Sequence, residues 1–252
     1  MEKMMQLQKE LLEHYIRIEG MPMYPVDPTS KEGRALLRDF AYRITDELVE
    51  ASNHIAAIYE SLASNQQMQA RQELRHFNEE LGDWWHFLLE FIVFADINES
   101  QLEGLVYQAA QEEIGGFEYE ESECHLDNMF AIADLVCLRA GLREDRRNKF
   151  NIGKANLEDW GAATLGPRTI ELFYMGSWNA TENLFKAIHD LKHKPWAQTD
   201  TKANLAGFLS HTGRFFLSVM QLMVIIGKTP MSIKESYFLT NKKNQNRIKS
   251  GY

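Results

Sequence analysis

The sequence predicts an all-α fold, a helical bundle built from a duplicated and diverged helix-pair unit, and three observations carry that expectation. Apolar residues recur three and four apart along most of the chain instead of alternating, which is the period of a helix with one buried face. Six prolines and fifteen glycines in 252 residues leave long stretches without a breaker. The third observation is internal likeness: LRHFNEELGDWWHFLLEFIVFADI (74–97) lies on LAGFLSHTGRFFLSVMQLMVIIGK (205–228) with no gap. Leu74, Phe77, Gly82 and Val93 meet identical residues there, and Trp84 and Trp85 meet Phe215 and Phe216. Two unrelated buried helices sharing an apolar stripe would show part of the same likeness.

The elements follow in order. MEKMMQLQKELLEHY has amphipathic spacing and predicts a helix over 4–18. EGMPMYPVDPTS (19–30) is a proline-rich loop, and its Thr29 or Ser30 can cap a second helix at 32–64. The short segment ASNQQMQ (63–69) leads into a third helix at 70–95, and a fourth follows at 100–113. EEIGGFEYEESE (112–123) reads as a glycine-hinged acidic linker, a fifth helix as 124–141, and REDRRNK (143–149) as a solvated turn. Helices at 168–192, 201–227 and 230–247 complete a single domain over 1–252, with halves 1–113 and 166–252 on either side of a linker or insertion at 114–165.

Composition excludes several classes of function. A formal net charge of −9 lacks the basic face that neutralises phosphates, so nucleic acid is not an expected partner. Two cysteines, Cys124 and Cys137, are too few for a disulfide framework or a thiolate metal site, and read as small buried residues in a reducing compartment. MEKMMQLQKELLEHY carries acids and amphipathic spacing and is expected to be mature sequence instead of a secretory leader, and FFLSVMQLMVII (215–226) falls short of a membrane span. A cytoplasmic protein with no membrane partner is expected.

Two acid pairs interrupt this pattern. Glu47 and Glu50 in DELVEA, and Glu80 and Asp83 in EELGDWWHF, are each three apart, so each pair points its carboxylates the same way from an apolar helix. Antiparallel packing of the two helices would make the pairs converge, and four converging carboxylates repel unless a cation compensates them. All-oxygen ligation suits Mg²⁺ or Mn²⁺, and Mg²⁺ commonly shares its shell with substrate phosphates. Acid pairs at this spacing also arise by chance on solvated faces. ELRH (73–76) and DWWH (83–86) suggest a di-iron bundle, but that design needs the two motifs on different helices. IHD (188–190) carries the dipeptide of helical phosphohydrolases without well-placed further ligands, and His54 and His86 read as core or rim residues. The offset that aligns the two halves carries the four acids to Trp178, Thr181, His211 and Arg214, so the second half has none of them.

DELVEA followed by EELGDWWHF resembles the metal motifs of the all-α nucleoside triphosphate pyrophosphohydrolases, in particular the dimeric dUTPases and phage-type dCTPase-dUTPases. LQKELL (7–12) is similar to the N-terminal glutamine motif of that family, and NKKNQNRIKSGY (241–252) to its C-terminal signature. The resemblance implies that Glu47, Glu50, Glu80 and Asp83 hold Mg²⁺ and that a water attacks the phosphate chain in line, with Glu47 or Glu50 as orienting base. It implies that Asn241, Lys242, Asn244 and Arg247 handle phosphates, that Gln8 reads the base and that Trp84 or Trp85 stacks on it. It also implies a homodimer in which 1–113 is the metal-binding half and 166–252 a degenerate repeat with a phosphate-binding tail. The chain departs from the dUTPase pattern after Glu50, where HIAAIYESLASNQQ has no Trp-Lys-x-x-Trp segment; a comparable KHKPW occurs only at 192–196. The expected activity is Mg²⁺-dependent hydrolysis of dUTP or dCTP to the monophosphate and pyrophosphate. A sanitising activity on another or modified nucleotide, and a helical nucleotide-binding protein without turnover, are the alternatives.

Overall fold

A computed structural model describes residues 1–142, 167–192 and 202–251, which leaves REDRRNK and most of KHKPW outside the described residues. The described residues hold eight helices and no strand: α1 (Glu2–Glu19), α2 (Lys31–Ala63), α3 (Gln67–Phe94), α4 (Glu99–Ile114), α5 (His125–Arg139), α6 (Pro167–Asp190), α7 (Leu205–Ile225) and α8 (Pro230–Lys249). The all-α expectation therefore holds.

Local chemistry sets the boundaries. Ser30 Oγ accepts from the Gly33 N–H at 2.9 Å and opens α2, whereas Thr29 turns away to Asp27. Asn98 with Gln101, and Thr229 with Ser232, form reciprocal capping boxes at α4 and α8. Asn204 caps the Gly207 N–H at 3.0 Å, so α7 begins at Leu205 and not at 201 as periodicity suggested. Gly20, with φ of 66°, closes α1 in the left-handed region that glycine enters without a steric cost.

The helices form two antiparallel pairs. Along α2 and α3 the contacts run in opposite directions, His54 to Glu73 at one end and Arg43 over the Phe87 ring at the other. Along α6 and α7 the same sense joins Asp190 to His211 and Asn179 to Ser218. The helix that follows each pair then packs on the other pair: α4 lies against α7, and α8 against α3. Two glycines make these approaches. A Cβ on Gly82 would sit 2.2 Å from Thr240 Oγ1 on α8, and one on Gly213 would sit 2.5 Å from the Leu105 carbonyl oxygen on α4. These are the glycines that coincide when the two halves are aligned.

One continuous core fills the space between the pairs, with Phe40, Phe77, Trp84, Trp85, Phe91 and Phe216 among its fully buried side chains. Helix α7 is long and apolar enough to cross a membrane by length and composition, but 67% of its apolar window is buried inside the fold. Cys137 is buried as expected. Cys124 is only partly so, with the Lys234 ammonium 3.4 Å from its sulfur, and neither is in a disulfide.

Candidate functional site

The α2–α3 pair builds the site as a ladder. On α2 the residues at 43, 47, 50 and 54 share one face, and on α3 those at 80, 83, 87 and 90 do, because steps of three and four return to the same side of a helix. Antiparallel packing sets these stripes face to face. Arg43 meets Phe87, Glu47 meets Glu80 and Asp83, and His54 closes the row with a 2.8 Å hydrogen bond to Glu73. His76 stacks on His54 with ring centroids 5.4 Å apart.

At the centre of the ladder, Glu47, Glu80 and Asp83 each offer a carboxylate oxygen, and the three atoms lie within 4.8 Å of one another. Burial raises the proton affinity of all three. Glu47 is pushed up to about 8 by desolvation, by its hydrogen bond to Glu80 and by the neighbouring carboxylates. Glu80 is raised by burial and by Glu50 and Asp83, while accepting the proton of Glu47 relieves it in part. Asp83 is raised by burial, against the pull of Lys243 and Arg247. Three oxygen donors at this spacing fit the shell of a hard divalent cation, whose neighbouring ligands stand about 3 to 4 Å apart. The mutual repulsion that lifts their pKa values is what such a charge would neutralise. Glu50 stands exposed beside the triad, near enough for its charge to act on all three acids.

A cavity of about 280 Å³ opens from the acids. Glu47 and Asp83 line it together with Asn244 and Arg247 from α8, so both signs of charge face one space. Arg247 Nη1 donates to Asn244 Oδ1 at 3.4 Å. Further along lie His86 and Glu90 of α3 and Arg43 of α2, with residues of α1 completing the wall. The His86 ring is buried, stacks on Tyr237 and has no hydrogen-bond partner for either nitrogen. Burial lowers its pKa to about 4, so the ring is neutral, with one donor and one acceptor to offer.

The expected residues divide into two groups. Glu47, Asp83, Asn244 and Arg247 share the cavity, with Glu80 in the triad and Glu50 at its edge. Gln8 does not face the cavity: it is fully buried, donating to Glu90 Oε1 at 2.9 Å and accepting from the Tyr237 hydroxyl at 3.0 Å. Asn241 is likewise buried, between Tyr237 and Gln245. Trp84 and Trp85, expected as base-stacking candidates, are core residues with at most 1% of their surface exposed. A ring so enclosed has no free face for a ligand. Lys242 points outward, and its neighbour Lys243 is the lysine whose charge reaches Asp83. In the second half, the aligned His211 pairs with Asp190 at 2.7 Å and Arg214 with Glu112 at 2.6 Å, while Trp178 is exposed.

Sequence reasoning missed Arg43, Glu90 and Tyr237 and left His86 without a ligand-facing role. Continuing each acid stripe by one further turn would have found the first two, since 43 precedes 47 by four and 90 follows 83 by seven. No protein-family model matches the chain, and no curated protein or solved structure does either.

Proposed function

We propose that this chain is a Mg²⁺-dependent pyrophosphohydrolase that converts a deoxynucleoside triphosphate, dUTP or dCTP, to the monophosphate and pyrophosphate. One observation carries the reading: a half-buried triad of carboxylates on two helices, two of which line a cavity, faces a guanidinium and an amide from a third helix across it. Anionic phosphates need both, a cation held by the acids and hydrogen-bond donors opposite them.

Glu47, Glu80 and Asp83 would hold the cation, which would supply charge neutralisation at the phosphate oxygens and acidify a water. Arg247, steadied by Asn244, grips the outer phosphates with its planar fork, and Lys243 adds charge. Glu50, outside the triad, orients the attacking water and takes its proton. The water oxygen forms a bond to the α-phosphorus, the bond from that phosphorus to the bridging oxygen breaks, and the electron pair leaves with pyrophosphate.

Pyrophosphate release from a panel of deoxynucleoside triphosphates, with Mg²⁺ and with chelator, tests this. Release that requires Mg²⁺ supports it, and the absence of release from every substrate refutes it.

A further inference from the structure

Five large apolar side chains stand exposed along the seam between α2 and α6: Tyr42 at 54% and Val49 at 53% on α2, and Tyr174 at 43%, Met175 at 61% and Trp178 at 77% on α6. Two contacts fix how these helices lie. Tyr42 meets Phe185 edge to face with ring centroids 5.4 Å apart, and the Tyr174 hydroxyl donates to the Ser52 carbonyl oxygen at 3.1 Å. Rising numbers on α2 pair with falling numbers on α6, so the helices are antiparallel and Val49 falls level with Trp178 between the two contacts. The exposed residues thus form one face. Val49 follows Glu47 by two residues, about 200° around α2, which turns this face away from the acids.

Its composition is that of an interface core. Positions 42, 45, 49 and 52 of α2 and 174, 178, 181 and 185 of α6 hold no charged residue, although a quarter of the chain is charged. Tyr, Trp and Met, the types enriched where proteins meet, make up most of its exposed part. Lys186 and Glu182 of α6, both half exposed, pair at 2.7 Å beside it, as polar residues do at a rim.

Area identifies the occupant. At about 150 to 250 Å² for whole side chains of this size, the five exposures amount to roughly 600 Å². That is the upper end of the largest apolar patch on a typical monomer. A stable dimer buries about 800 Å² per partner, about 60% of it apolar, so roughly 500 Å² is needed and this face supplies it alone. With 24 residues, α6 runs about 36 Å beside the longer α2, and two such antiparallel helices present a ridged surface that packs on its own copy.

We propose that the α2–α6 face joins two copies of this chain about a two-fold axis, making a four-helix contact with Trp178 at its centre. Such pairing is independent of the chemistry in the cavity, which opens on another side of α2.

Sedimentation velocity of the full chain over a dilution series tests this, with Trp178→Glu and Met175→Glu as face variants and Leu239→Glu as control. Wild type should sediment as a dimer, and each face variant should raise its dissociation constant at least about thirtyfold, the worth of a hot-spot residue. Leu239 is 71% exposed on α8, which packs on α1, α3 and α5, so its variant should dimerise like wild type. Circular dichroism should show unchanged helix content in both face variants, separating lost pairing from lost folding, because both side chains are more than half exposed. A wild type that stays monomeric, a dimer that survives both face substitutions, or one that Leu239→Glu breaks would overturn the proposal.

Discussion

The rings of His86 and Tyr237 stack 4.4 Å apart and 19° from parallel, joining α3 to α8 behind the cavity wall. The Tyr237 hydroxyl lies 3.0 Å from both the Met4 carbonyl oxygen and Gln8 Oε1, so one side chain ties three helices. Tyr237→Phe keeps the stack and loses these bonds, which should cost about 1 to 2 kcal/mol in urea denaturation. Tyr237→Ala empties a buried ring site and should cost about 3 to 5 kcal/mol.

Glu47→Gln removes a proton-hungry carboxyl from the triad. In chelator the variant should melt higher than wild type at neutral pH, because folding no longer has to bind a proton at Glu47 that the unfolded chain has released. Saturating Mg²⁺ or Mn²⁺ should reverse the order, stabilising wild type by about 2.7 kcal/mol at a hundredfold excess over Kd and leaving the variant nearly unmoved. Thermal melts with and without metal read both effects, and an equal metal shift in the two proteins would exclude the triad as the metal site.

Arg247 is exposed at the cavity rim, so Arg247→Ala should leave the melting temperature within about 1 °C of wild type. Its loss should raise KM roughly tenfold to a hundredfold, the worth of a charged hydrogen-bonding group on phosphate. Lys243→Ala should have a smaller effect in the same direction, and Lys242→Ala none.

Glu90 also predicts a pH dependence of stability. Its folded-state pKa is raised to about 8, so between about pH 4.5 and 8 the folded chain keeps a proton that the unfolded chain has released. Its contribution is complete below that window and is lost as pH rises through about 8. Glu19 of α1 adds to the shift and Arg43 of α2 opposes it. Denaturation of wild type and Glu90→Gln at about pH 7 and about pH 9 isolates the effect. Glu47 and Lys228, both placed near 8, titrate alike in the two proteins, and His86, lowered to about 4, lies outside the interval. Wild type should lose stability relative to the variant as pH rises, and parallel curves would contradict the burial of an acid there.

Periodicity made the helices legible because each buries a stripe against its neighbours, as in α2, where Leu37, Phe40, Ala41, Ile44 and Leu48 follow one face inward. The acid pairs were legible for the same reason: residues three apart share a side. What the chain alone did not disclose is rotation. Trp84 adjoins Asp83, yet one residue turns about 100° around the axis, enough to send one side chain into the core and the other into the cavity. Lys242 and Lys243 are both exposed, yet it is the charge of Lys243 that reaches Asp83. Gln8 was expected to read a base, but it turns into the core, where its orientation depends on Glu90 and Tyr237, 82 and 229 positions away, which no local pattern encodes.

The crosswise packing of α4 and α8 has a structural consequence for how the site could be taken apart. The acids sit in the first half of the chain, while Asn244 and Arg247 arrive on a helix from the second that Gly82 admits to α3. The arrangement is that of a subunit-exchanged dimer written into one polypeptide, with each half lending its last helix to the other. Neither fragment alone would hold a complete cavity. A chain cut in the connection between α5 and α6 should regain one only when the two pieces are mixed, as complementing fragments do.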